Sequence, residues 1–221
     1  LVMNAVNFID GLDGLAAGVV GIGTLAFFIY SYVLAQQTSP TDYFSIAGML
    51  SAVVLGAIAG FLPHNFSPAK IFMGDSGAML LGLMMATSAI AVTGSIDPAT
   101  VTRNDLLPAL IPLVLPVVIL LVPLLDLLLA VVRRMRRGQS PFAADREHLH
   151  HQLQDLGHSH RGAVLVFYHW TTVVSLCLLL FFWIDPAPVI IIFGAWMIIA
   201  LVHTYWPVFQ RATRARSSLG K

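Results

Sequence analysis

Charge is scarce in this sequence. Only 10% of its 221 residues are Asp, Glu, Lys or Arg, against about 25% in soluble globular domains. Hydrophobic residues make up 57% and the mean hydropathy is +0.83, which excludes an ordinary soluble domain and indicates a chain that lives in a bilayer. Cysteine is nearly absent. The one thiol, Cys177, lies in an apolar run, so an intramolecular disulfide is excluded and a small packing residue is its expected role. No basic segment followed by a cleavage site precedes an apolar core, so nothing reads as a signal peptide. Because the chain starts at Leu1, it is expected to be the C-terminal part of a longer protein. Internal repeats and low-complexity tracts are also missing.

What is present is a set of long apolar runs. Six are of the length that crosses a bilayer, about 20 residues: 15–34, 44–62, 77–93, 106–132, 163–183 and 189–205. They lack period-2 alternation and are too long for strands, so helices are expected. The fold class expected is therefore all-α, a polytopic integral membrane protein with about six transmembrane helices. The fourth run carries Pro108, Pro112, Pro116 and Pro123, which should kink or break it.

The basic residues are distributed unevenly. The segments 1–14, 63–76 and 133–162 and the tail 207–221 fall on one side and hold Lys70, Arg133, Arg134, Arg136, Arg137, Arg146, Arg161, Arg211, Arg214, Arg216 and Lys221; Arg103 alone falls on the other. By the positive-inside rule the first side is cytoplasmic. The "RRMRR" cluster reads best as a topology anchor beside anionic lipid, and no nucleic-acid partner is expected. A pore or carrier would place polar groups near mid-membrane; here they gather at the cytoplasmic face.

Four polar constellations lie there. In "NAVNFIDGLDGLAAG", Asn4, Asn7, Asp10 and Asp13 recur every three residues, which brings them together on a helix or its frayed end. Gly11 and Gly14 let the backbone bend and a ligand approach. Asp13 could cap the next helix, but a cap needs one acceptor, not two aspartates and two asparagines. In "NFSPAKIFMGDSG", Asn65, Lys70 and Asp75 share one short loop and supply an amide, a cation and a carboxylate for a nucleotide or a metal phosphate. Phe66 and Phe72 could wall a base, although core packing is the commoner use of Phe. In "SPFAADREHLHH", Arg146, His148, His150 and His151 suit phosphate oxygens and proton transfer; a zinc site is disfavoured because it lacks cysteine and a tetrahedral set. Asp126, near the end of the fourth run, is a site candidate because intramembrane carboxylates are rare, or else a partner for a neighbouring cation. Asp and Asn oxygens suit Mg²⁺ or Mn²⁺, and such an ion suits phosphoryl transfer between a water-soluble donor and a lipid acceptor.

These three ordered blocks resemble the polyprenyl-phosphate N-acetylhexosamine-1-phosphate transferases, of glycosyltransferase 4 type. The resemblance implies transfer of a sugar-1-phosphate from a UDP-sugar to a polyprenyl phosphate with release of UMP, at the bacterial inner membrane with the active site facing the cytoplasm. It implies that Asp75, with Asp10, binds Mg²⁺, and that Asn7 and Asp10 belong to the catalytic centre. Gly11, Asp13, Asn65 and Phe72 would line the uridine pocket, and His148, His150 and His151 would contact phosphates or sugar. "DREHLHH" is similar to the GlcNAc-1-phosphate branch, whereas transferases of MurNAc-pentapeptide typically carry three consecutive histidines after Pro-Ile. UDP-GlcNAc is therefore the expected donor, for the first membrane step of a cell-envelope glycan, with UDP-MurNAc-pentapeptide the alternative. Direct displacement and a phospho-enzyme route both remain open, as does a homodimer. One departure stands out. Family members carry an adjacent Asp-Asp pair on an earlier cytoplasmic loop and have ten or eleven spans; no adjacent Asp-Asp occurs here, so this chain alone is expected to lack a catalytic element. A metal-coupled transporter and a noncatalytic scaffold are the rivals from other classes.

Overall fold

The computed structural model describes residues 2–38, 45–94, 131–138, 140, 149–181 and 183–219, together with positions 114, 118 and 128. Helices run in the order α1 (Val2–Ile9), α2 (Leu15–Thr38), α3 (Ile46–Asn65), α4 (Gly74–Gly94), α5 (Leu149–Asp155), α6 (His160–Leu180) and α7 (Pro186–Leu219). No strand occurs among the described residues. Five of these helices, α2, α3, α4, α6 and α7, contain apolar stretches of 22, 20, 18, 21 and 26 residues. At 1.5 Å per residue, about 20 residues match the hydrocarbon thickness. The protein is a polytopic membrane protein. Of the fourth expected span only positions 114, 118, 128, 131 and 132 are described; its prolines and Asp126 lie outside the described residues.

α2 is the central post. It packs against α1, α3, α4 and α6, and Leu15, Ala16, Ala17, Val19 and Val20 at its start are buried together. α3 meets it through one stripe, Ala47, Ser51, Val54, Ile58 and Asn65, whose spacings of three, four and seven keep to one helix face. The other side of α3 is exposed, as at Ile46, Met49 and Val53, which suits a helix with lipid or further protein beside it. Ser45 caps α3 by accepting from the Gly48 N–H, and Ser159 caps α6 by accepting from the Gly162 N–H at 3.1 Å. Among the described residues α7 packs mainly against α6, with Ala200 beside Val173 and Cys177 and a polar chain in which the Trp196 N–H donates to His169 (3.0 Å) and His169 meets His203 (3.1 Å).

Most boundaries shift by a few residues from the sequence reading, and three differences stand out. The segment 1–14, expected as a loop, opens with α1. Eight residues are too few for a stable isolated helix, but Ala5, Val6 and Ile9 bury one face against α4. The third span begins at Gly74 rather than 77, because Asp75 sits in the first helical turn and not before it. The last helix does not stop at 205; it continues through Pro207 to Leu219.

Candidate active site

α1 stops where glycines begin. The turn of residues 10–14 reverses the chain and delivers it into α2, with Gly14 at φ +80°, a left-handed conformation that favours glycine. Opposite, residues 66–73 join α3 to α4 and end at Gly74, φ +67°. The two segments face one another at one end of the bundle. Between them lies a cavity of about 230 Å³ walled by Asp10, Gly11, Asp13, Asn65, Phe72 and Asp75. Clefts of about 300 Å³ also occur between α2 and α3 and between α6 and α7, but their walls are mainly apolar. Only the smaller one brings carboxylates together among the described cavities.

The two aspartates of the turn have different surroundings. Asp13 Oδ2 accepts the Ala69 N–H at 3.1 Å, so this carboxylate pins the opposite segment. Asp10 has no such partner on that segment. Burial and the nearby Asp75 carboxylate together raise its pKa to about 6. Its charged form is thus disfavoured by desolvation first and by like charge second. Asp75 is exposed in the first turn of α4, where the helix dipole favours an anion. One turn before Asp10, the Asn7 Oδ1 atom is buried without a hydrogen-bond partner among the described residues.

Asn65, expected as a substrate contact, is 3% exposed and engaged at both ends. Its Oδ1 accepts the Gly14 N–H at 3.0 Å and its Nδ2 donates to the Ile71 carbonyl at 2.9 Å. It holds the turn and the facing segment in register. Of the two phenylalanines, Phe66 is partly buried against Gly14, whereas Phe72 is 76% exposed at the cavity wall. Lys70 is exposed on the same segment and is not part of the wall.

The donor set fits a hard divalent cation. Two carboxylates that repel one another across the cavity are what a positive charge would satisfy, and the unpaired Asn7 oxygen lies one turn back on α1. Among the described residues no three His, Cys, Asp or Glu side chains gather as a metal cluster. Mg²⁺ commonly takes only one or two carboxylates and keeps the remaining positions for water and phosphate oxygens.

Arg146 and His148 lie outside the described residues, and His150 and His151 are placed only as backbone positions on α5. Sequence reasoning passed over two residues of α6. Tyr168 donates its hydroxyl to the Gly14 carbonyl at 2.6 Å, and Arg161 donates its Nε–H to the Ser67 carbonyl at 2.8 Å. A tyrosine inside an apolar run is a usable signal, since a buried phenol usually finds a hydrogen-bond partner.

Residues 1–93 match the family model described as glycosyl transferase family 4. The chain is 43% identical over 210 residues to decaprenyl-phosphate N-acetylglucosaminephosphotransferase of Mycolicibacterium smegmatis, covering 95% of this chain and 52% of that protein. It is 38% identical over 169 residues to a probable undecaprenyl-phosphate N-acetylglucosaminyl 1-phosphate transferase of Bacillus subtilis, covering 76% and 41%. To phospho-N-acetylmuramoyl-pentapeptide-transferase of Staphylococcus aureus it is 45% identical over 87 residues, covering 39% and 25%. The chain thus spans about half the length, or less, of the curated relatives it matches. Both polar blocks, on two facing segments at one end of a membrane bundle, lie within the part of the chain, residues 1–93, that matches glycosyl transferase family 4.

Proposed function

We propose that the whole protein transfers N-acetylglucosamine-1-phosphate from UDP-GlcNAc to a polyprenyl phosphate and releases UMP. The observation that carries the reading is the meeting of Asp10 and Asp75, from separate segments, across one cavity at the end of the membrane helices. Its position suits two unlike substrates. A charged nucleotide sugar can arrive from water, while the acceptor's phosphate reaches the same point with its hydrocarbon chain still in the bilayer. The excess of basic residues on this side supports a cytoplasmic orientation, as at a bacterial inner membrane. Similarity running over 95% of the chain to a GlcNAc-phosphotransferase, against 39% for the MurNAc-pentapeptide enzyme, supports the GlcNAc donor.

In the net reaction one acceptor phosphate oxygen bonds to the sugar-bearing phosphorus, and the bond from that phosphorus to the bridging oxygen breaks. The electron pair of that bond leaves on UMP. Asp10 and Asp75 would hold Mg²⁺ (or Mn²⁺), which supplies charge neutralisation for the phosphate oxygens. Phe72 offers an open ring face for the uracil. Gly11, exposed and without a side chain, leaves room for the diphosphate to approach the backbone. Asn65 and Asp13 keep these groups facing one another. Lys70, Arg146, His148, His150 and His151 carry the remaining cationic and proton-exchanging capacity assigned to the donor phosphates.

Membranes containing the whole protein, given UDP-GlcNAc labelled in the sugar and a polyprenyl phosphate, should form a Mg²⁺-dependent lipid-linked product with UMP in equal amount. Product with UDP-MurNAc-pentapeptide and none with UDP-GlcNAc would overturn the donor assignment. With neither donor active, the enzyme reading itself would fall.

A further inference from the structure

We propose that Tyr168 is a positioning residue for the Asp10–Asp75 site, the main member of a brace by which α6 fixes both site segments. The kinetic part rests on the function proposed above; the structural part does not. Gly14 is held from two sides. Its N–H donates to Asn65 on α3 (3.0 Å), and its carbonyl accepts both the Gly18 N–H (2.9 Å) and the Tyr168 hydroxyl (2.6 Å). With φ at +80°, this residue sets the direction in which the 10–14 turn leaves α2, and so where Asp10 stands. The phenol end of the Tyr168 ring packs against α2 at Gly18, where a Cβ would overlap it. Seven residues earlier on α6, Arg161 holds the Ser67 carbonyl at 2.8 Å. The two contacts lie 154 and 94 residues apart in sequence from their partners, and they take one site segment each. α6 therefore sets the separation of the turn carrying Asp10 from the segment leading to Asp75, without touching the cavity.

Tyr168→Phe is the informative variant, because it keeps the ring on Gly18 and removes only the hydroxyl. Trp170→Phe is its control. It removes another hydrogen bond made by α6, from Trp170 to Thr204 at 3.0 Å, which faces α7 and not the site. In the whole protein, amide hydrogen exchange across residues 10–18 should quicken about fivefold in Tyr168→Phe, the factor one typical hydrogen bond gives, and stay unchanged in Trp170→Phe. The half-saturating Mg²⁺ concentration for transfer, and Mn²⁺ binding followed by electron paramagnetic resonance without turnover, should weaken by a similar factor in Tyr168→Phe alone. Unchanged exchange and unchanged Mn²⁺ binding in Tyr168→Phe would overturn the proposal. So would equal changes in both variants, which would mean a general loosening of α6. If the wild-type protein transfers no sugar phosphate, the function proposed above fails, while exchange and Mn²⁺ binding still decide the role of Tyr168.

Discussion

Replacing Asn65 by alanine separates two accounts of the site. On the sequence the residue reads as a donor contact; in the structure it is 3% exposed and bonds Gly14 and Ile71 at 3.0 and 2.9 Å. Asn65→Ala removes both bonds and leaves an N–H and a carbonyl facing the vacated volume. Each lost bond is worth about 1 kcal/mol net, and each unpaired buried group costs roughly 1–3 kcal/mol. Because the side chain borders the cavity, water can enter and pair with the exposed groups. The expected loss therefore sits near the lower bound, about 2 kcal/mol. It should appear as a lowered unfolding midpoint in mixed micelles. Transfer assays should show kcat falling tenfold or more, roughly what 1.4 kcal/mol expressed at the site would give. KM for UDP-GlcNAc should stay within about twofold, since a residue that sets register is not removed from the donor's own contacts. The opposite pattern refutes the reasoning: a KM raised about tenfold, with kcat and the unfolding midpoint at wild-type values, would mean that Asn65 binds donor directly.

The remaining expectations can be read with the same two assays. Asp13→Asn keeps an oxygen for the Ala69 N–H (3.1 Å) and loses only the charge assistance, so it should cost about 1 kcal/mol of stability and retain transfer; Asp10→Asn should abolish transfer, and equal losses in the two variants would sink the division of roles. Phe72→Ala removes a ring that is 76% exposed, so stability should move by no more than about 0.5 kcal/mol while KM for the donor rises; an unchanged KM would exclude Phe72 from the uracil wall. Asp75→Asn should remove Mg²⁺-dependent transfer and leave the unfolding midpoint intact, because the side chain is exposed; a large drop in midpoint would make the residue structural. Gly18→Ala puts a Cβ into the Tyr168 ring, and overpacking of this kind costs about 1–3 kcal/mol against roughly 1 kcal/mol of gained helix propensity, so a net loss is expected, and a stabilised variant would refute the ring's placement.

The spans were legible because a bilayer reads little more than length and apolarity, and the helices at α2, α3, α4, α6 and α7 follow from that alone. α1 was not, since eight residues hold a helix only when something covers their apolar face, and α4 lies some seventy residues away in sequence. The polar blocks were legible as a cluster, because carboxylates, amides and glycines next to membrane spans have few other reasons to be there, and Asp10, Asp13, Asn65 and Asp75 do border one cavity. What composition could not show is how each polar group is engaged. Asp10 and Asp13 stand three apart with the same glycine after each, yet one anchors Ala69 and the other faces Asp75 at raised pKa. That difference comes from a backbone N–H on a segment 56 residues away, and spacing within the motif carries no trace of it. Asn65 was nearer to being readable. It falls seven residues after Ile58 on the stripe Ala47, Ser51, Val54, Ile58, so the same periodicity that finds a core face turns its side chain inward, to hold backbone. A polar residue that continues an apolar stripe into a site is, on this physical ground, better assigned to the scaffold than to the ligand. By that criterion the groups left facing the cavity to meet a ligand are Asp10, Gly11, Phe72 and Asp75.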